Sequence, residues 1–143
     1  MLLGEFHCAA DGERLQIPTE FCAELGGGLT VTRGIERCLF VYPAGEWQRL
    51  AEKIQGRLPL TNRDARAFAR LVFSGALACL LDPQGGISLP DSLRQYAGIE
   101  DEAVVIGLCT HLEIWSTQRW QEVRAQMVEE GVAAVERLGH LGI

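Results

Sequence analysis

Arg14-Leu15-Gln16-Ile17-Pro18 and, 72 positions further on, Gly86-Ile87-Ser88-Leu89-Pro90 are one phrase written twice. In each copy apolar and polar residues alternate, as they do on a strand with one buried face, and a proline closes the run. Proline cannot donate to a strand ladder but suits the first turn of a helix, so the phrase reads as a short strand leading directly into a helix. Thr19-Glu20-Phe21-Cys22 and Asp91-Ser92-Leu93-Arg94 supply those two helices, and Gly26-Gly27-Gly28 and Gly98 stop them.

The repetition extends outward from this phrase. Leu29-Thr30-Val31-Thr32 and Ala103-Val104-Val105-Ile106 read as strands, with the aromatic segments 39–42 and 112–115 as their partners. Leu39-Phe40-Val41-Tyr42 followed by Trp47-Gln48 recurs as Leu112-Glu113-Ile114-Trp115 followed by Trp120-Gln121, now offset by 73 at the tryptophans. One inserted residue reconciles the two offsets, which implies duplication of a unit of about 45 residues. The expected organisation is a first repeat over 5–48, a connector with a helix over 49–75, a second repeat over 76–120, and a C-terminal helix and tail over 121–143. A half of this size buries too little apolar surface to stand alone, so the expected fold is α+β, with both halves interleaved in one shared barrel.

In the connector, Thr61-Asn62-Arg63-Asp64 offers a helix cap before the amphipathic run 65–73. At the end of the chain, Trp120, Val123, Met127, Val135 and Leu138 fall along one side of a predicted helix. Gly131 interrupts that stripe at a cost of roughly 1 kcal/mol against alanine, so the last turns are expected to be its weakest part.

Composition narrows the function. The chain has 143 residues, 48% of them hydrophobic, with no run of 18 apolar residues, and its opening MLLGEFHCAADGER turns polar too soon for a secretory leader. A soluble cytoplasmic protein is expected, with no membrane partner. The five cysteines form no CxxC pair and are odd in number, which suggests neither a disulfide framework nor a zinc ribbon. His7, His111 and His140 lie far apart and lack ligand spacing, and the glycine clusters lack the form of a phosphate cradle. No metal and no cofactor are expected. Cys8 beside His7 and Cys109 near His111 are the only crude nucleophile–base candidates, and neighbours on a strand point to opposite faces, so no enzyme is expected. The formal charge of −6 argues against a protein that coats nucleic acid and leaves room only for a local basic contact on one face of an assembly.

Several longer phrases then carry a family resemblance. They are Gly4-Glu5-Phe6-His7, Thr32-Arg33-Gly34-Ile35-Glu36-Arg37-Cys38-Leu39, Ala65-Arg66-Ala67-Phe68-Ala69-Arg70-Leu71 with Gly75-Ala76, Leu93-Arg94-Gln95-Tyr96-Ala97-Gly98, and His111-Leu112-Glu113-Ile114-Trp115-Ser116. Over nearly its whole length the sequence resembles the MraZ family, whose two halves are each a swapped-hairpin unit of the SpoVT-AbrB type. The resemblance implies a bacterial transcription regulator that acts on its own operon of cell-division and wall genes. It also implies a ring-like homo-oligomer, association with the nucleoid, and double-stranded DNA upstream of the operon as partner.

The family's DNA-reading element is a D-x-x-x-R turn just before the strand that ends in proline, and here it is damaged twice. Arg14 keeps the arginine position of the first half, but Ala10 stands four residues earlier, with the nearest aspartate shifted to Asp11. In the second half Asp82 is in place and Gly86 occupies the arginine position. An arginine gripping guanine O6 and N7 is worth roughly ten- to a hundredfold in discrimination, and glycine supplies none of it. Arg14 is therefore the one candidate DNA-binding residue, and Asp11 and Glu13 beside it either put negative charge where phosphate would sit or orient its guanidinium.

Arg33 and Arg37 read as turn charges, and Arg63, Arg66 and Arg70 as a solvated helix face, paired with Asp64 if with anything. Trp47, Trp115 and Trp120 read as packing rather than base-stacking residues. Two functions stand open: sequence-specific DNA binding by an oligomer through the turn around Arg14, with the turn from Asp82 to Gly86 as a weakened second contact, and an oligomeric protein-interaction module of the same fold that has lost direct DNA reading.

Overall fold

The computed structural model describes residues 1–142. The first half runs through β1 (Leu2–Asp11), β2 (Arg14–Gln16), α1 (Thr19–Leu25), β3 (Leu29–Arg33), β4 (Leu39–Pro43) and α2 (Ala44–Arg57). After α3 (Arg63–Ser74) the order repeats as β5 (Leu77–Cys79), β6 (Gly86–Ser88), α4 (Asp91–Ala97), β7 (Glu102–Cys109), β8 (Leu112–Ser116) and α5 (Thr117–Leu138). The connector thus holds two helices, because the Trp47 helix continues to Arg57 before Asn62 caps the next one by accepting from the Ala65 N–H at 3.0 Å.

Strand order explains why neither half is a domain. All eight strands form one sheet in the order β5-β3-β4-β8-β7-β1-β2-β6, every pairing antiparallel. Each half gives its first strand to the other half's third: β1 pairs with β7 from Leu2↔Cys109 to Ala9↔Glu102, and β5 pairs with β3. Equivalent strands then meet, β2 against β6 and β4 against β8, which is the signature of a pseudo-twofold axis. Only the join between β5 and β6 lacks a strand pairing, so the sheet is a nearly closed barrel of swapped hairpins, the α+β fold expected.

The alternating phrase behaves as its pattern requires. Leu15 and Ile87 sit directly opposite one another and are buried, with Ile17, Leu89, Phe21 and Leu93 in the same cluster, while Arg14, Gln16 and Ser88 lie on the outer face. Burying a side chain of this size stabilises by about 1.5–3 kcal/mol, and both halves supply this one core. Pro18 and Pro90 stand just before their helices rather than inside them, with ψ of 135° and 156°, and their carbonyls accept from Phe21 and Leu93. The long β1–β7 pairing needs a glycine at Gly107, where a Cβ would lie 2.5 Å from the backbone carbon of Leu2 and the nitrogen of Leu3.

Helix α5 spans the predicted run and is continuous through Gly131 to Leu138, with Ser116 Oγ accepting from the Arg119 N–H at its start. Of the predicted stripe, Trp120 is buried and Val123 partly so, whereas Met127, Val135 and Leu138 are exposed, as are Val128 and Val132. The helix anchors by its first turns and carries its remaining apolar residues into solvent. No helix among the described residues is long and apolar enough to cross a membrane.

Candidate nucleic-acid interface

The two turns that the sequence marks as damaged are built differently. β1 returns into β2 through a two-residue turn in which Asp11 opposes Arg14 and Ala10 opposes Leu15, with Gly12 at φ 61°. Directly opposed residues share a face, so Ala10 goes inward beside Leu15 and packs against the core, while Asp11 goes outward with Arg14. An aspartate at position 10 would point into the barrel.

The second turn is wider. The Asp82 N–H donates to Gly86 O and the Gly85 N–H to Asp82 O, both at 2.9 Å, with Gly85 at φ 81°. The Asp82 side chain closes it, Oδ1 accepting from the N–H groups of Gln84 and Gly86 at 2.9 Å. Such a local side-chain turn fixes a carboxylate without help from the rest of the fold.

Arg14 reaches this carboxylate from the other half. Its Nε donates to Asp82 Oδ2 at 2.8 Å and its Nη2 to Oδ1 at 3.1 Å, a bidentate pair between residues 68 apart in sequence. The guanidinium crosses the bare face of Gly86, where a Cβ would lie 2.4 Å from Cζ and Nη2. The absence of a side chain at position 86 is what makes room for it. Both parts of the sequence reading are corrected here: Arg14 has a partner, the second turn's aspartate has an arginine, and neither Asp11 nor Glu13 is the orienting acid. The Glu13 carboxylate instead accepts from Ser88 Oγ at 3.4 Å, and Asp11 adds only negative charge nearby.

Charge follows geometry. The hydrogen bond from Arg14, then that from the Gly86 N–H, holds the Asp82 carboxyl well below the usual carboxylate range, and the same bond to Asp82 raises Arg14 above its ordinary value. Both groups are ionised at any working pH. The Arg14 side chain is 39% exposed, and among the described residues no protein group accepts from Nη1. One edge of the guanidinium is held and the other is available to a ligand.

The other candidates resolve into structural roles. Arg33 Nη1 donates to Leu71 O at 3.2 Å and Ser74 Oγ at 3.0 Å, tying β3 to α3, and Arg37 lies 4.8 Å above the Tyr96 ring. Arg66 donates to Leu60 O at 2.8 Å, and among the described residues Asp64 forms no ion pair. Trp115 and Trp120 pack on each other, nearly buried, and the half-buried Trp47 packs against Tyr42 and Phe73. Burial pushes the Cys8 thiol up to about 11 and raises Cys38 further, the opposite of an activated thiolate. His111 is stacked on Tyr42 at 4.6 Å, and among the described residues no group of three His, Cys, Asp or Glu is placed to hold a metal.

In class, the chain is a duplicated swapped-hairpin barrel with one bidentate arginine–carboxylate pair on its outer face. The family described as "MraZ protein, putative antitoxin-like" matches residues 1–71 and again 72–138, one match per half. The transcriptional regulator MraZ of Alkaliphilus metalliredigens is 44% identical over 144 residues, covering all of both chains. Those of Halothermothrix orenii and Moorella thermoacetica are 44% and 45% identical, covering 97% and 96% of this chain and 99% and 96% of their own. The chain belongs to the MraZ family, and its relatives are named as regulators and not as enzymes.

Proposed function

We propose that this chain is a sequence-specific DNA-binding transcriptional regulator of a cell-division and cell-wall gene cluster, reading DNA upstream of its own operon through Arg14. The observation that carries the reading is the guanidinium on the outer face of β2, anchored by one edge to Asp82 with its Nη1 free of protein acceptors. Family membership and the regulator names of the relatives support it.

The chain acts as a ring-like homo-oligomer in the cytoplasm, associated with the nucleoid. The apolar residues that α5 exposes, Val128, Val132 and Val135 among them, support self-association. Repetition of Arg14 around such an assembly compensates for an unfavourable overall charge of −6, because linked copies bind repeated sites with an effective concentration that one copy lacks.

Fluorescence anisotropy with DNA from immediately upstream of the gene, against scrambled DNA and across a salt series, tests this. Specific binding is expected to fall roughly ten- to a hundredfold in Arg14→Ala. Equal, weak binding to both DNAs, unchanged by the substitution, would contradict it. That outcome would favour the second reading, a protein-interaction module of the same fold, for which the acidic setting of Arg14 by Asp11, Glu13 and Asp82 speaks.

A further inference from the structure

An arginine can grip planar acceptors by two edges, the side edge of Nε with Nη2 and the end edge of Nη1 with Nη2. Asp82 occupies the side edge of Arg14. The end edge, which suits guanine O6 and N7, has no protein acceptor at Nη1 among the described residues. Asp82 is itself fixed by two backbone N–H groups, so the guanidinium is held by a rigid acid and not by another mobile side chain.

We infer that Asp82 and Gly86 are positioning residues for Arg14, and that each protomer carries one composite reading fork, built from a turn of each half, in place of two independent forks. This inference rests on the DNA-reading role proposed above. The pseudo-twofold axis that brings Arg14 to Asp82 relates that pair to positions 86 and 10. Those are the two positions where both charged groups are missing: Gly86 lies under the Arg14 guanidinium, and Ala10 is turned to the core beside Leu15. The two departures from the family turn are thus a single event. The second fork is absent as a whole, and its absence gives the first one its berth.

Holding Arg14 by one edge spares part of the rotamer freedom that a loose arginine loses on contact, so releasing it lowers specific affinity by about three- to tenfold. Gly86→Ala is the sharpest test. It keeps every charge, its backbone is outside the positive-φ region, and its new methyl displaces only the end of the Arg14 side chain. Asp82→Asn is its companion, judged by the ratio of specific to scrambled binding because loss of a negative charge favours all DNA. Circular dichroism and thermal unfolding establish that each variant is folded.

The probe is the upstream fragment with guanines replaced singly by 7-deazaguanine, which lacks the N7 acceptor. The wild-type chain is expected to respond at one guanine per bound protomer, and Gly86→Ala and Asp82→Asn to lose about three- to tenfold in the specificity ratio. Arg14→Ala is expected to be indifferent to the replacement. If both positioning variants keep the wild-type ratio while Arg14→Ala loses it, or if two guanines per protomer matter, the composite fork is overturned and the DNA reading stands. If Arg14→Ala also keeps the ratio, the reading itself falls, and the fork with it.

Discussion

The turn ending at Arg14 and the turn from Asp82 to Gly86 hold equivalent places in the two halves, and they are built as opposites. The first is a tight two-residue reversal that sends position 10 into the core and projects a cation. The second is a wide turn closed by its own carboxylate, with a bare glycine where the cation would stand. Compared half against half, both are defective. Compared across the axis, they fit, because what one lacks the other keeps. In a duplicated barrel whose equivalent strands meet, a pair can be completed across the axis by groups that neither copy of the motif holds complete.

The comparison can be pressed first where the halves are alike. Leu15 and Ile87 face each other in one core, so Leu15→Ala and Ile87→Ala are each expected to cost about 2–5 kcal/mol, with similar values and a single urea transition in both. Two transitions, or a large loss in one variant only, would mean that the halves are separate folding units.

Two glycines make a second contrast. Gly107→Ala drives a methyl into the backbone of β1, which cannot move alone, and is expected to destabilise by about 1–3 kcal/mol. Gly86→Ala meets a closer neighbour, but that neighbour is the end of a flexible side chain, so its thermal midpoint should stay near that of the wild type. A comparable loss of stability in the two would show that Arg14 cannot leave its place.

A smaller effect separates the fork from the barrel by pH. His111 is held below its ordinary value by burial, so the unfolded chain takes up a proton more readily, and stability should decline as pH falls below about 6.5. His111→Phe should flatten that decline in urea titrations. Asp82 is held low by Arg14, so the fork's contribution is present above about pH 3.8 and lost only as pH falls through the lower folded value. Specific DNA affinity governed by the fork should therefore be level from pH 5 to 8. A drop between pH 6 and 5 in the wild-type chain, absent from Asp82→Asn, would contradict the low value.

Much of this was legible in the sequence. Alternation in Leu15-Gln16-Ile17 and Ile87-Ser88-Leu89 gave the inner strands, and the spacing of Pro18 and Pro90 gave the duplication, because burial on one face of a strand imposes a period of two. The partner of Arg14 was not legible by looking four residues back, since the Asp82 contact is closed by β2–β6 pairing, a long-range choice. A signal was present all the same: Arg14 kept with Asp82, and Ala10 lost with Gly86, is the pattern that pairing across the axis would leave. The course of α5 was legible and its surroundings were not: helical spacing of Met127, Val135 and Leu138 reports an apolar stripe, not what covers it, and among the described residues all three stay exposed.

The most direct measurement is a double-mutant cycle on specific DNA affinity with Arg14→Ala, Asp82→Ala and the two combined. If the two residues form one fork, removing Asp82 from a chain that already lacks Arg14 should cost nothing further in the ratio of specific to scrambled binding, and the double variant should keep the ratio of Arg14→Ala even as loss of a negative charge raises its affinity for all DNA. Losses that simply multiply would show two independent contributions, one from each half, and would contradict the composite fork.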